Sequence, residues 1–309
     1  LLVDGTNEIQ KYSGSTNANY STGNIDATAG TTNVIGNGTS WATTTNATVG
    51  QYIKMPDGKW YKITQINSDT SLQIEIEYQG ANAFTQAYTI SSWGEIQGKL
   101  NSSSAPSGLT VPTPKYIANH SDRIWTASGS TLNFSVLDTS VTEEHFNDWD
   151  TSENSGIIIV PSTDGNEITG LYSLNNSLYV FERRAIWRVF GSTPSTFELR
   201  NVSNEIGLID RRTLVEYGDV LVFLSDQGVV MFDGSNYRIV SENKIQSQIK
   251  SWANLTSPNA VLWDNKYLIA YTPTGGSYNT ECLFYDFIRD IWGKITGVPS
   301  SAWSAWRGG

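Results

Sequence analysis

A phrase of two short β-type runs separated by a polar turn recurs along this chain, each time with different residues. Its clearest copies are DRIWTASGSTLNFSVLD (122–138), NSLYVFERRAIWRVFG (176–191), DVLVFLSDQGVVMFDG (219–234) and NKYLIAYTPTGGSYNTECLFYDFIRDIW (265–292). The copies recur at intervals of about 43 to 54 residues, which is close to the period of four-stranded propeller blades. The repeat therefore predicts an all-β fold with a β-propeller-like body of four-stranded blades.

The remaining segments predict a second domain. A weaker copy of the phrase opens the chain, so residues 1–25 are predicted to be the first propeller strands. Residues 26–92 alternate strand and turn signals, with a strong PDG turn at 56–58, and are predicted to fold as an inserted small β-sandwich or barrel domain. Residues 93–114 read as a linker and residues 115–309 as propeller blades. Because the chain begins without Met and in a strand-like run, we expect it to be incomplete.

The composition agrees with a β-rich protein. Aromatic residues make up 12% of the chain and charged residues only 16%, which is typical neither of helical nor of disordered proteins. Within propeller blades, large flat side chains fill the space between packed sheets. The predicted core aromatics are Trp125, Phe134, Tyr179, Trp187, Phe223, Phe232, Tyr271, Phe284 and Trp292.

The chain is acidic, with a formal net charge of −10. Nucleic-acid binding depends on Lys and Arg neutralising phosphates, so this balance argues against a protein that grips DNA or RNA. An acidic surface suits a conduit along which DNA slides without sticking. Solubility alone accounts for the acidity equally well.

The sequence contains none of the usual catalytic patterns. It has no HExxH, GxSxG, phosphate-loop or CxxC motif and only two histidines, so we predict that the protein is not an enzyme and carries no cofactor. Cys282 is the single cysteine, which excludes an internal disulfide and predicts a buried, inert thiol. No apolar run is long enough to span a membrane, so no membrane insertion is expected.

An acidic stretch around residue 148 offers two weaker readings. Its carboxylates Glu143 and Asp148 could serve a glycosidase, although a solvated helix and loop explains them more simply. Oxygen-bearing side chains at alternate positions also resemble the first half of a calcium loop. These candidate metal ligands are Asp148, Asp150, Ser152 and Asn154. The pattern departs from a calcium loop at Glu153, where glycine is expected, and at Ile159, where an acid is expected.

Two short helices are predicted between strands. Residues 140–143 form a capping-box pattern before the first helix. Ser241 is predicted to cap the second helix, in which Ile245, Ile249 and Trp252 share one face at helical spacing.

Three tryptophans of the small domain and its border, Trp41, Trp60 and Trp93, are the candidates for glycan contacts. Exposed aromatic rings stack on sugar faces, whereas core packing is the simpler explanation for the high Trp content.

The only compact basic spots are two arginine pairs, Arg183-Arg184 and Arg211-Arg212. In so acidic a chain they are candidates for contacts between subunits, because Arg pairs well with carboxylates. Local salt bridges within the blades are the equally weighted alternative.

The run NEIGLIDRRTLVEYGDVLVFLSDQGVVMFDGSNYRIVSENKIQSQI (204–249) resembles a segment typical of the nozzle or tail-tube hub family (tail tubular protein B-like) of short-tailed bacteriophages. The shared features are Gly207 before a polar turn, the turn at 224–228, the aromatic-Asp-Gly end at 232–234 and the helix after Ile239. The closing FYDFIRDIWGKITG (284–297) is similar to the strand pair of this family. Residues 36–90 also resemble a β-module found in phage virion proteins.

This resemblance implies a structural protein of the virion tail. Members form a homo-oligomer, a six-fold ring below the head-to-tail adaptor, which continues the channel for DNA ejection and carries fibres or a needle. Double-stranded DNA would pass through without sequence-specific binding. The family has no enzymatic residues to carry over.

Two other hypotheses stay open at this point. One is a glycan-binding, receptor-recognising tail protein that uses the three tryptophans. The weaker one is a propeller glycosidase that uses Glu143, Asp148 or a neighbouring acid.

Overall fold

The computed structural model describes residues 10–95, 113–137, 155–162, 165–252, 254–297 and 299–303. Across these residues the chain forms 25 β-strands and one α-helix of five residues. The strands assemble into a two-stranded ladder, one seven-stranded sheet and four sheets of four strands each. The predicted all-β, propeller-like fold class is therefore confirmed.

The N-terminal part contains nine strands. They are β1 (Gln10–Tyr12), β2 (Asn24–Ala27), β3 (Asn33–Asn37), β4 (Tyr52–Lys54), β5 (Trp60–Ser68), β6 (Ser71–Ile74), β7 (Ala83–Gln86), β8 (Thr89–Ser91) and β9 (Trp93–Glu95). Strands β2 to β8 form one curled sheet in the order β7-β2-β3-β6-β5-β4-β8, which we call the small β-domain. Strand β1 pairs with β9, so the first residues of the segment that reads as a linker are a strand.

The small β-domain encloses its own core. Alternate residues of its strands point inward, such as Ile25 and Ala27 of β2, because successive strand side chains point to opposite faces. The predicted turn at 56–58 joins β4 to β5, where the Gly58 amide donates to the Met55 carbonyl at 2.9 Å. The Tyr61 hydroxyl, 2.6 Å from an Asp57 carboxylate oxygen, fastens this turn to β5.

The four-stranded sheets follow one another along the rest of the chain, and each keeps its strands in sequence order. The first blade contains β10 (Tyr116–His120), β11 (Arg123–Ser128), β12 (Thr131–Phe134) and β13 (Gly156–Ile159). The second blade contains β14 (Ile168–Leu174), β15 (Ser177–Glu182), β16 (Ile186–Phe190) and β17 (Glu198–Ser203). The third blade contains β18 (Val215–Tyr217), β19 (Val220–Ser225), β20 (Gly228–Phe232) and β21 (Tyr237–Ile239). The last blade contains β22 (Asn254–Trp263), β23 (Lys266–Thr272), β24 (Glu281–Asp286) and β25 (Ile291–Thr296).

The recurring phrase has a structural origin in the first hairpin of each blade. Its copies begin at the second residue of a two-residue turn, and the turns at 121–122, 175–176 and 264–265 have positive φ at both positions. Such turns match the right-handed twist of the flanking strands and favour Asn, Asp and Gly. The third blade uses Gly218, with φ of +60°, at the first turn position.

Neighbouring blades share their cores. In β19, Leu221 and Phe223 face the second blade, where Phe223 meets Phe181 edge-on at 5.5 Å between ring centroids. Val222 and Leu224 point to the other face and pack with residues of the last blade, such as Tyr267. The two-residue period of a strand thus sends alternate side chains of β19 into two different cores.

The core prediction is confirmed for most of the nine predicted aromatics. Six are buried, namely Trp125, Phe134, Tyr179, Phe223, Phe232 and Tyr271. Trp187, Phe284 and Trp292 are half-buried. Trp292 packs against the core shared by the third and last blades, and its indole nitrogen donates to the Val240 carbonyl at 3.0 Å.

The helix prediction was right about packing and wrong about the cap. Helix α1 (Gln246–Lys250) begins five residues after Ser241, and Ile249 and Trp252 are buried beside it. The Ser241 hydroxyl accepts instead from the Val229 amide at 3.0 Å, because residues 241–245 form turns before the helix begins. The helix predicted after residue 140 lies outside the described residues.

Candidate assembly and recognition surfaces

Two glycines of the 204–249 segment, Gly207 and Gly234, lie where a side chain has no room. A Cβ on Gly207 would stand 2.1 Å from the Glu182 carbonyl oxygen of the second blade. A Cβ on Gly234, whose φ is +99°, would stand 2.5 Å from the Tyr179 hydroxyl. That hydroxyl donates to the Gly234 carbonyl at 3.0 Å. These glycines let the third blade approach the second closely.

Two aspartates of the motifs hold tight turns. Asp233 accepts from the amides of Ser235 and Asn236 at 2.9 and 2.7 Å, and these hydrogen bonds lower the pKa of its carboxyl. Asp286 accepts from the Arg289 amide at 3.0 Å and from the Arg289 guanidinium at 2.8 Å. The hydrogen bond from the Arg289 backbone amide is the main reason that the pKa of the Asp286 carboxyl is also lowered. The Asp residues of both motifs therefore shape turns.

The strand pair that closes the last blade is held by an aromatic contact. Tyr285 lies opposite Trp292 in the antiparallel register of β24 and β25, with ring centroids 5.1 Å apart. The Tyr285 hydroxyl donates to Asp290 in the connecting turn, and Lys244 also contacts that carboxylate at 3.0 Å. Burial and this hydrogen bond raise the pKa of Tyr285 to about 12.

Arg183 joins the second blade to the third. Its Nε lies 2.9 Å from Oδ2 of Asp226 and its Nη2 lies 2.8 Å from Oδ1, a two-pronged arrangement. The hydrogen bond to Asp226 raises the pKa of Arg183. Arg184 approaches the same carboxylate at 3.5 Å and is largely exposed. Both arginines of the first pair thus contact Asp226 within the chain, as the alternative of local salt bridges predicts. Their contact with another subunit stays a prediction.

The second arginine pair divides between two roles. Arg211 donates to the Leu214 carbonyl at 3.2 Å, and its guanidinium lies 5.1 Å from the Tyr172 ring centroid. Burial lowers the pKa of Arg211. Arg212 is half-exposed and contacts Asp210 at 2.7 Å. Of this pair, Arg212 is the more accessible to a partner.

The three candidate tryptophans have different surroundings. Trp41 is 0% exposed and its indole nitrogen donates to the Tyr88 hydroxyl at 3.0 Å, so its prediction as an exposed glycan contact is wrong. The turn-rich sequence around Trp41 folds back over the curled sheet, and the large ring completes its core. Trp60 is half-buried, with the Lys54 ammonium 5.7 Å from its ring.

Trp93 is exposed and belongs to an aromatic pair. It lies opposite Tyr12 in the β1–β9 ladder, with ring centroids 5.0 Å apart and ring planes at 37°. The Tyr12 hydroxyl donates to the Ser15 carbonyl at 2.7 Å, which orients its ring. Sequence reasoning missed Tyr12, because the pairing of β1 with a strand some 80 residues later is not visible in the sequence.

The predicted metal ligands Asp148, Asp150, Ser152 and Asn154 lie outside the described residues, as do Glu143 and Glu153. Among the residues that the structure describes, no group of three acidic, His or Cys side chains could hold a metal ion. His120 is buried, with Nδ1 2.9 Å from the Ser173 hydroxyl, and burial lowers its pKa.

Cys282 is buried as predicted, and burial raises the pKa of its thiol to about 11. Within the described part of the chain, no helix is both long and apolar enough to cross a membrane.

No protein-family model and no curated protein matches this chain. Similar solved structures include the extracellular domain of a candidate one-component system from B. thetaiotaomicron, at 10% identity and a TM-score of 0.39. That match covers 97% of this chain but only 37% of the other. Apo AztD from Citrobacter koseri matches at 10% identity and a TM-score of 0.35, over 87% of this chain and 69% of the other.

A quinonprotein alcohol dehydrogenase-like protein from Bacteroides thetaiotaomicron matches at 11% identity and a TM-score of 0.36, over 92% of this chain and 78% of the other. TM-scores this low carry no argument about function.

Proposed function

We propose that this protein is a structural component of a short-tailed bacteriophage tail, a subunit of a nozzle or hub ring that extends the DNA-ejection channel. The proposal rests first on the resemblance of residues 204–249 to that family. The observation that carries it furthest is that this segment contains one complete blade and all but the last residue of helix α1. Its motif residues take part in blade packing and turn formation.

The chemistry of the motif residues supports a role as scaffold. Gly207 and Gly234 permit close approach of two blades, and Asp233 and Asp286 hold turns. Each of these residue types is required by geometry rather than by a reaction. Function on such a scaffold depends on its surface.

The net charge of −10 further supports a conduit for DNA. A channel that must release double-stranded DNA benefits from repelling phosphates, because each Lys or Arg contact would hold the duplex back. The proposed partners are copies of this chain, the head-to-tail adaptor, and fibre or needle proteins, in a virion tail.

The test is the oligomeric state in the native particle, measured by low-resolution electron microscopy of tails with an antibody against this chain. A six-fold ring around a central channel is expected. A particle in which the chain occupies only peripheral fibres, or is absent from the tail, would contradict the proposal.

A second candidate function, glycan recognition, is favoured by the exposed Tyr12–Trp93 pair. Two neighbouring rings on a hydrogen-bonded ladder offer a platform for a sugar ring. A glycan array tests it, with Trp93→Ala as the variant and Tyr278→Ala, an exposed aromatic of the last blade, as the matched control. Binding by the protein and by the control but not by Trp93→Ala is expected for a glycan receptor. An array without binding above background argues against it.

A further inference from the structure

A third arginine pair forms across two strands of the second blade. Arg188 of β16 lies directly opposite Arg200 of β17 in the antiparallel register. Residues at opposite positions project from the same face of a sheet, so these two side chains are neighbours. Like charges at such positions destabilise a sheet. The blade therefore keeps this pair at an energetic cost unless a negative charge lies beside it.

Both guanidinium groups lie beside one aromatic ring. Phe190 is two residues after Arg188 on β16, and thus projects from the same face. The guanidinium of Arg188 lies 4.5 Å from the centroid of the Phe190 ring, and that of Arg200 lies 4.6 Å from it. Attraction between each cation and the ring favours this arrangement. The strand register and the shared ring thus hold two positive charges at one place.

Only part of this positive charge is neutralised by described residues. Arg200 has a carboxylate partner, because Oε2 of Glu198 lies 3.0 Å from Nη2 of Arg200. Arg188 forms no hydrogen bond or ion pair with a described residue, and its Nε is buried without an acceptor. A buried donor without an acceptor costs free energy. The charge that is missing beside Arg188 is a single negative one.

Other arginines of the blades show which group could supply that charge. Arg183 contacts Asp226 at 2.8 Å, and Arg212 contacts Asp210 at 2.7 Å. In both contacts the partner is a carboxylate, whose two oxygens match the planar guanidinium group. Arg188 lacks such a partner in the described part of the chain.

The pair is accessible at the outer end of a row of residues that crosses the sheet. The row begins at Tyr179 of β15, which lies opposite Arg188, is buried and packs against the third blade. It ends at Arg200, whose side chain is 58% exposed. In the third blade, Asp233 accepts hydrogen bonds from amides of its own turn. A carboxylate from outside the chain can therefore reach the pair.

We propose that the Arg188–Arg200 pair binds a carboxylate of an acidic segment of a partner protein. The two guanidinium groups and Glu198 together carry one positive charge in excess, which a single carboxylate neutralises. A carboxylate has two oxygens, so it can accept hydrogen bonds from both guanidinium groups. Binding at this pair and formation of a ring are independent of each other.

The experiment titrates the full chain at low salt with a blocked tetraglutamate peptide and, separately, with inorganic phosphate. Nuclear magnetic resonance of protein that contains nitrogen-15 arginine records the Nε–H signal of each guanidinium group. The peptide is expected to shift the signals of Arg188 and Arg200, with a dissociation constant of about a millimolar. A blocked tetraglutamine peptide, which carries no charge, should shift neither signal.

Three variants locate the binding. Arg188→Gln is expected to weaken peptide binding by about tenfold or more, because the remaining guanidinium is already paired with Glu198. Arg188→Lys keeps the charge but loses the planar group, so its affinity should lie between the two. The matched control is Arg184→Gln, which removes the same charge from the same blade at a side chain 65% exposed. Its dissociation constant should stay within about twofold of that of the unmodified protein.

Three results would overturn the proposal, once near-ultraviolet circular dichroism has verified the fold of each variant. Equal losses in Arg184→Gln and Arg188→Gln would mean that the peptide responds only to overall charge. Tighter binding of phosphate than of the peptide, with shifts of the same two signals, would make the pair a phosphate site. An Arg188 signal that neither probe shifts would mean that the pair binds no anion. The ring is tested separately by electron microscopy, so these results leave that proposal as it stands.

Discussion

The small β-domain and the blades solve the burial of apolar surface in different ways. The small β-domain gathers residues of its seven-stranded sheet into one core of its own. The second, third and last blades have no such private core, because alternate residues of strands such as β19 enter two different shared cores. A blade is therefore stable only beside its neighbours, whereas the small β-domain has what it needs to fold alone.

The largest expected effect comes from creating a cavity in a core shared by two blades or in the core of the small β-domain. Phe223→Ala and Trp41→Ala each remove a fully buried aromatic ring, which costs about 3 to 5 kcal/mol of unfolding free energy. Phe223→Ala should reduce hydrogen-exchange protection in the second and third blades together and leave the small β-domain protected. Trp41→Ala should do the reverse.

Hydrogen exchange measured by mass spectrometry separates the two regions peptide by peptide. Loss of protection throughout the chain in both variants would mean that the two regions unfold as one unit, and the comparison would fail.

A smaller effect is expected at the boundary between two blades. Gly234→Ala forces a left-handed residue to carry a Cβ and pushes it into the Tyr179 hydroxyl, so we expect a loss of about 2 to 3 kcal/mol. Gly218→Ala is the matched control, because Gly218 also has positive φ but no atom within 4 Å of the added Cβ. Its cost should be about 1 kcal/mol.

Chemical denaturation measures both losses. Equal costs for Gly234→Ala and Gly218→Ala would show that close contact between the second and third blades adds nothing to the strain of the turn.

Acid should destabilise the last blade, because protonation of the Asp286 carboxylate weakens the turn between β24 and β25. The pKa of Asp286 is lowered in the folded protein, so its stabilising contribution is present above the unfolded-state value of about 3.9 and is lost as the pH falls through the folded value. Between pH 7 and pH 2 the protein should lose more stability than the Asp286→Asn variant.

Thermal unfolding across this pH range is the measurement, and the curves of the two proteins should converge at the acid end. Parallel curves would mean that the Asp286 carboxylate does not hold the turn. Asp233 and Asp290 have pKa values shifted in the same direction and remain in both proteins, so the difference isolates Asp286.

The smallest effect is expected from the ion pair between blades. Arg183→Gln removes a two-pronged contact that is open to solvent, so the loss should be below about 1 kcal/mol and should shrink in high salt. Lys62→Gln, which breaks a pair with Glu75 inside the small β-domain, is the control. If Arg183→Gln lowered the unfolding free energy by several kcal/mol, the ion pair rather than the shared cores would be the main interaction between the blades.

The sequence predicted the blades well because their pattern is local. Each phrase begins at a turn such as 175–176, whose Asn residues tolerate positive φ, and continues in strands with a two-residue period. The aromatics within these strands were predicted to be core residues, and Phe223 and Tyr179 are buried. Local turn chemistry and strand period are sufficient for these inferences.

The candidate glycan contacts were predicted less well because exposure depends on distant contacts. Trp41 and Trp93 lie in similarly polar sequence, yet Trp41 is buried and Trp93 is exposed beside Tyr12. The difference comes from strand pairings over long separations, which a residue pattern does not encode.

The single cysteine, Cys282, can report transient opening of the last blade. The Cys282 thiol is inaccessible, and its raised pKa leaves almost no thiolate near neutral pH, so thiol reagents should find no target in the folded protein. The rate at which a maleimide modifies the unaltered chain therefore measures how often the last blade exposes its interior. Any cysteine engineered at the surface becomes the single reactive handle for fluorophores or crosslinkers, without removal of the native one.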